Sequence, residues 1–257
     1  ELWSDGDNYA RGHWLNGRSS NRTLAGVVAE ICNRSGVSTY DVTELYGLLR
    51  GYSVSDIASA RAALQPLFLT YGIDVAERDG TLVFSNRGAA PDAAITAADL
   101  AQDPDQDSAI TLTRAPSAES IGRMQLEYID ADASYETGVA EAIHPTGQTI
   151  GVARSSFPVV LTQTEATRTT SRWITEARIS QDTASFALPP SQSELGAGDV
   201  VALDLAQTTG RYRIDRIDDI GLRLAEATRV EPETYLQHQI AERAVSLPTQ
   251  TAPIPVE

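Results

Sequence analysis

From Ile110 onward, apolar residues recur at every second position: Met124, Leu126 and Tyr128; Ala184, Phe186 and Leu188; Tyr212 and Ile214; Leu222 and Leu224. A period of two places such residues on one face of a pleated strand, and no helix can satisfy it. Turn signals at Gly196–Gly198, Gly210 and Gly221 space these runs regularly, which predicts a small barrel or sandwich. One helix interrupts the strands. Thr162 and Glu165 match a capping box, and Ala166, Thr170, Trp173, Ile174 and Ala177 supply a buried face behind it.

The first third reads differently. Thr23 and Gly36 bracket a helix with Leu24, Val27, Val28 and Ile31 on one stripe. A second helix, from about Asp56 to Tyr71, is read as capped by Ser55, with Ile57, Ala60, Leu64, Leu67, Phe68 and Tyr71 buried and Pro66 kinking it. Leu48 to Val54 reads as a strand. Asp79-Gly80 can take the positive φ angles of a type I′ turn, so Ile73–Arg78 and Thr81–Ser85 form a hairpin.

The chain is therefore read as α+β: a connector over 1–22, a small α/β module over 23–87, and an Ala-, Asp- and Pro-rich linker over 88–109. A β-rich, barrel-like domain with one helix follows over 110–245, then an extended Pro-rich tail over 246–257. Trp3, Tyr9 and Trp14 mark the connector as a segment that packs on a neighbour. A start at Glu1-Leu2-Trp3 without Met suggests a piece of something longer.

Composition removes several classes of chemistry. A net charge of −15 opposes direct nucleic-acid binding, because phosphates are held by basic side chains. All 20 basic residues are Arg, so neither a Schiff-base lysine nor a Walker lysine exists. No run approaches a membrane span, and no signal-peptide pattern is present. Cys32, the sole cysteine, falls on a helical apolar stripe and is read as a small buried hydrophobe. His13, His144 and His238 lack a second ligand at metal spacing. Asp103, Asp105 and Asp107 open like a calcium loop, but Ser108 stands where Gly is needed and Arg114 where Glu is needed. Asp130, Asp132, Asp218 and Asp219 read as solvated loop acids. No catalytic, cofactor-binding or metal-ligating residue is assigned.

Three stretches together resemble the phage-tail domain of the gene transfer agent hub proteins of alphaproteobacteria, the glycoside hydrolase/TIM-barrel-like phage tail family. They are Gly12-His13-Trp14-Leu15-Asn16-Gly17-Arg18; the run from Leu24 to Phe84 with Ser35-Gly36, Arg50-Gly51-Tyr52 and Asp79-Gly80-Thr81-Leu82-Val83-Phe84; and Thr113-Arg114, Tyr128-Ile129-Asp130, Leu188-Pro189 and Leu195-Gly196-Ala197-Gly198-Asp199-Val200-Val201. Ala197 departs from the Pro expected there, and nothing resembles the TIM-barrel-like region. The hydrolase label is therefore not carried onto these residues.

The resemblance implies a baseplate hub, usually trimeric, with tube-like β-barrel domains in a ring and small α/β domains outside it. It implies a particle tail tip assembled in the bacterial cytoplasm, with neighbouring tail and baseplate proteins as partners and DNA delivery as the purpose. A repulsive acidic wall suits a DNA conduit. Two other classes stay open: a cell-wall hydrolase, and a receptor- or carbohydrate-binding module using Trp3, Trp14 or Trp173.

Overall fold

A computed structural model describes residues 14–15, 18–54, 59–102, 108–116, 121–133, 135–143, 151–219 and 222–235. The three histidines, Trp3, Tyr9, Ile57, Ser55, the Asp103–Asp107 acids and the Pro-rich tail lie outside the described residues.

Two helices lie in the first third of the chain. Helix α1, Leu24–Arg34, begins where the Thr23 side chain accepts from the Gly26 amide, and buries Leu24, Val27, Val28, Ile31 and Cys32. Burial raises the Cys32 thiol pKa, so it packs as an apolar group. Helix α2, Ala60–Tyr71, is capped by Ser59, whose Oγ accepts from the Ala62 amide. The helix runs through Pro66 and ends at Gly72 in the left-handed region.

The strands fall into three sheets. In the first, β1 (Trp14–Leu15), β2 (Arg18–Thr23) and β4 (Leu48–Ser53) join β11 (Val152–Leu161), β9 (Arg123–Asp130) and β10 (Thr137–Ile143), in the order β1-β2-β4-β11-β9-β10. In the second, β7 (Ala93–Thr96), β13 (Val200–Asp204), β14 (Thr209–Asp219), β15 (Arg223–Val230), β12 (Asp182–Leu188) and β8 (Ile110–Arg114) run in the order β7-β13-β14-β15-β12-β8. The third is β3 (Tyr40–Glu44), β6 (Thr81–Asn86) and β5 (Ile73–Arg78), ordered β3-β6-β5. Helix α3, Gln163–Ile179, carries the expected reciprocal capping box and packs on β9 and β10. The four-residue helix α4, Pro232–Tyr235, follows β15.

The class is α+β and strand-rich, but both six-stranded sheets are open rather than closed barrels. Three further expectations are corrected. The connector contributes strands, since Trp14–Leu15 and Arg18–Thr23 pair into the first sheet. The stretch read as a linker holds β7, parallel to β13, where Ile95 is fully buried among small and acidic neighbours. One apolar residue in four gives no readable period. In β15 the buried row is Ala225 and Ala227, with Leu224 half-buried. Phe186 lies opposite Ala225, and Ile214 opposite Ala227, so large side chains fill the space above small ones. Gly210 is likewise a strand residue of β14, opposite Leu203. The Asp79-Gly80 turn has the positive φ angles its sequence predicts, 50° and 76°.

Two cores result. One gathers Leu24, Leu49, Tyr52, Leu67, Phe84, Leu126 and Trp173; the other gathers Ile95, Phe186, Leu188, Val201, Leu203 and Ile214 under the second sheet.

Gly138 faces Tyr128 across the β9–β10 pair, and a Cβ on it would lie 2.8 Å from the Tyr128 ring carbon bearing the hydroxyl. Gly138→Ala should destabilise the fold by about 1–3 kcal/mol through forced repacking, read from denaturant unfolding. An unchanged midpoint would contradict this packing.

Burial raises the phenol pKa values of Tyr52 and Tyr128 to about 12. Both folded values exceed that of the unfolded chain, so their contribution is complete below pH ~10 and lost toward pH ~12. The denaturation midpoint should fall across that window, and less steeply in Tyr52→Phe.

Candidate functional site

Helix α3 meets the C-terminal end of α2, where the last carbonyls of a helix have no partner within it. The Trp173 indole N–H donates to the Leu69 carbonyl at 2.8 Å. Arg172 Nη2 donates to the Leu69 and Thr70 carbonyls at 2.6 and 3.0 Å, and Thr169 Oγ1 to the Thr70 carbonyl at 3.3 Å. A guanidinium at the negative end of a helix dipole is favourably placed. Phe157 meets Trp173 edge-on, with ring centroids 5.9 Å apart.

Beyond this contact lies an ionic junction between the sheets. Arg87, just after β6, binds Asp74 of β5 at 2.7 Å and Glu176 of α3 at 3.3 Å. Arg213 of β14 reaches the same Asp74 at 3.4 Å and Asp215 at 3.1 Å. Burial works against the Arg87 charge, yet its hydrogen bond to Asp74 and the nearby Glu176 hold its pKa above the usual arginine value. Arg172 moves the other way: burial lowers its pKa, and Glu176 offsets this only in part. Their nearest atoms are 3.9 Å apart, within range for charge attraction but too far for a hydrogen bond. Burial and the Glu176 charge raise the Tyr235 phenol pKa.

The loop Leu195-Gly196-Ala197-Gly198-Asp199 makes a second connection. The Asp199 carboxylate is almost buried, accepts from the Gly196 amide at 2.8 Å and pairs with Arg78 at the tip of the β5–β6 hairpin. Gly198 at φ +94° closes the turn that allows this.

Two hollows flank α4. A cavity of about 380 Å³ is bounded by Met124, Trp173, Glu176, Arg213 and Tyr235. A groove of about 920 Å³ runs along α3 past Tyr46, Tyr71, Glu165, Arg168, Arg172 and Glu233. Glu165, which caps α3, also receives Arg50 Nε on both oxygens at 3.1 and 3.0 Å.

Asp74, Glu165, Glu176 and Asp199 face guanidinium groups, an arrangement that fixes surfaces against one another. Among the described residues, no three His, Cys, Asp or Glu side chains gather as a metal site. Nor is any helix among them long and apolar enough to cross a membrane. Trp173, a candidate for glycan stacking whose sequence position already placed it on the buried face of its helix, is 8% exposed and belongs to the core. Sequence reading missed Tyr46, Arg168 and Arg172. The two arginines sit four apart on the polar side of α3, a spacing that places them on one face but does not reveal what they meet.

Two groups stand out among the exposed apolar side chains of the described residues, which also include Val75, Leu112 and Tyr135. Tyr46 and Leu48 are 74% and 56% exposed beside the groove, and Leu69, which lines the 380 Å³ cavity, is 39% exposed. Val139, Ile143 and Val152 are 63%, 50% and 47% exposed on the outer face of the first sheet, where β10 is the edge strand.

The family model described as "Putative phage tail protein" matches residues 59–217. No curated protein sequence matches the chain. Among solved structures, a chain in the virion of a native gene transfer agent particle is 46% identical, with a TM-score of 0.83. That match covers 94% of this chain and 55% of the other, so this chain spans about half the length of that protein. The 43 kDa tail protein of prophage MuSo2 from Shewanella oneidensis aligns at TM-score 0.54 and 14% identity, over 89% and 70% of the two chains. A tail protein from Neisseria meningitidis aligns at 0.57 and 10% identity, over 87% and 71%. At such identities these two show a shared fold alone. The family model spans more than half of the residues, and on that ground the chain belongs to this family of phage tail proteins.

Proposed function

We propose that this chain is a structural segment of the baseplate hub of a gene transfer agent-type particle, joining tail tube to tail tip for DNA delivery. The observation that carries the reading is 46% identity over 94% of the chain with a protein of such a virion. The physical features agree with it. Charged groups are arranged to hold sheets together, and apolar side chains are left outward at a sheet edge and a groove rim, as in a protein that completes itself by assembly.

In this reading the parent protein is a homotrimer within the particle, contacting neighbouring tail and baseplate proteins without holding DNA. The net charge of −15 supports the last point, since DNA leaving past an acidic surface is not retained. The protein works as a scaffold, without catalytic turnover.

Deleting residues 18–235 from the parent gene should leave particles with filled heads but defective tail tips and no transfer of DNA to recipients. Electron microscopy and a transfer assay read the two effects, and quantitative mass spectrometry should find the parent in a three-fold copy number. Normal tails with undiminished transfer would overturn the reading.

A further inference from the structure

Arginines in this chain are matched with carboxylates over much of the surface: Arg34 with Glu30, Arg50 with Glu165, Arg78 with Asp199, Arg87 with Asp74, Arg229 with Glu231. Arg168 departs from that habit, and Arg172, whose Nε lies 3.9 Å from Glu176, follows it only loosely. They stand one turn apart on α3 and both line the 920 Å³ groove. The Nε of each is buried without a hydrogen-bond partner. Arg172 is committed through Nη2 to the α2 carbonyls, and its nearest carboxylate, Glu176, is bonded to Arg87. Among the described residues, no carboxylate pairs with Arg168. Arg168 is only partly buried, and a carboxylate delivered from outside would supply the counter-charge it lacks.

The rim adds a second requirement. Tyr46, which lines the groove, is 74% exposed, and Leu48, two residues on, is 56% exposed. Tyrosine and arginine around a depression, with aliphatic groups beside them, make the composition of a protein–protein hot spot. The size suits a short segment rather than a single ion. A polymer charged on every unit is disfavoured by the net charge of −15 and by Glu165, Glu231 and Glu233 in the same lining, whereas a segment bringing a single carboxylate to Arg168 meets far less repulsion.

Resting on the tail reading above, we propose that this groove docks an acidic segment of a neighbouring tail protein. Its carboxylate pairs with Arg168, and an apolar side chain beside it covers Tyr46 and Leu48.

The test places a photo-crosslinking phenylalanine derivative at position 46 of the full-length parent, assembles particles, irradiates them and maps the adducts by mass spectrometry. Arg168→Glu and the milder Arg168→Gln are combined with it, and thermal unfolding checks that each variant folds. The expected result is adducts with one Asp- or Glu-bearing peptide of another polypeptide, several-fold weaker in Arg168→Glu and intermediate in Arg168→Gln. Adducts confined to the chain itself, adducts with a glycan, or a yield indifferent to both substitutions would overturn the docking proposal alone. Absence of the unsubstituted parent from purified particles would overturn the tail reading, and this proposal with it.

Discussion

The seating of α3 on the carbonyl end of α2 is the contact on which the arrangement of the sheets depends. Gly72 closes α2 at φ +64°, and a Cβ there would lie 3.2 Å from the Arg172 guanidinium. Any other residue would meet both backbone strain and that side chain. With Gly in place, the chain turns at once into β5, and two residues later Asp74 faces Arg87 and Arg213. A single turn thereby delivers the carboxylate that joins the three-stranded sheet to β14. The Arg87 amide donates to the Gly72 carbonyl at 2.6 Å, which extends the β5–β6 pairing to the residue that holds Asp74.

The polar character of this junction has a physical consequence. Breaking one partner of such a partly buried pair leaves a charge with reduced solvation, so these contacts fix geometry more than they raise stability. The two cores supply the driving force; the arginine network selects how they sit. A tail component that must present the same surfaces in every copy is well served by that division. The same logic makes Arg168 conspicuous, because a side chain lacking a counter-charge in such a network points to something outside the molecule.

Much of the local structure was legible in the sequence. The Thr162–Glu165 capping box, the Asp79-Gly80 hairpin, the stripe of α1 and the alternation in β9 and β12 all rest on interactions within a few residues, and those leave a pattern in the chain. The illegible parts depend on distant partners. Ile95 becomes a strand residue only because Val201–Asp204 lies beside it, and Ala225 is buried because Phe186 and Ile217 flank it. The ionic junction brings together Asp74, Arg87, Glu176 and Arg213, from four separate elements, so no spacing rule could announce it. The family resemblance was legible for another reason: loops such as Gly196-Ala197-Gly198-Asp199 need particular residues for turn geometry and for the Arg78 pair.

If α3 unites the fold, its parts must open together. Native-state hydrogen exchange on the folded chain measures this directly, through the protection of amides in α2, β5, α3 and β14. The account predicts that these four share one opening free energy, close to that of global unfolding. Exchange of α2 and β5 through a much cheaper opening, with β14 still protected, would contradict it.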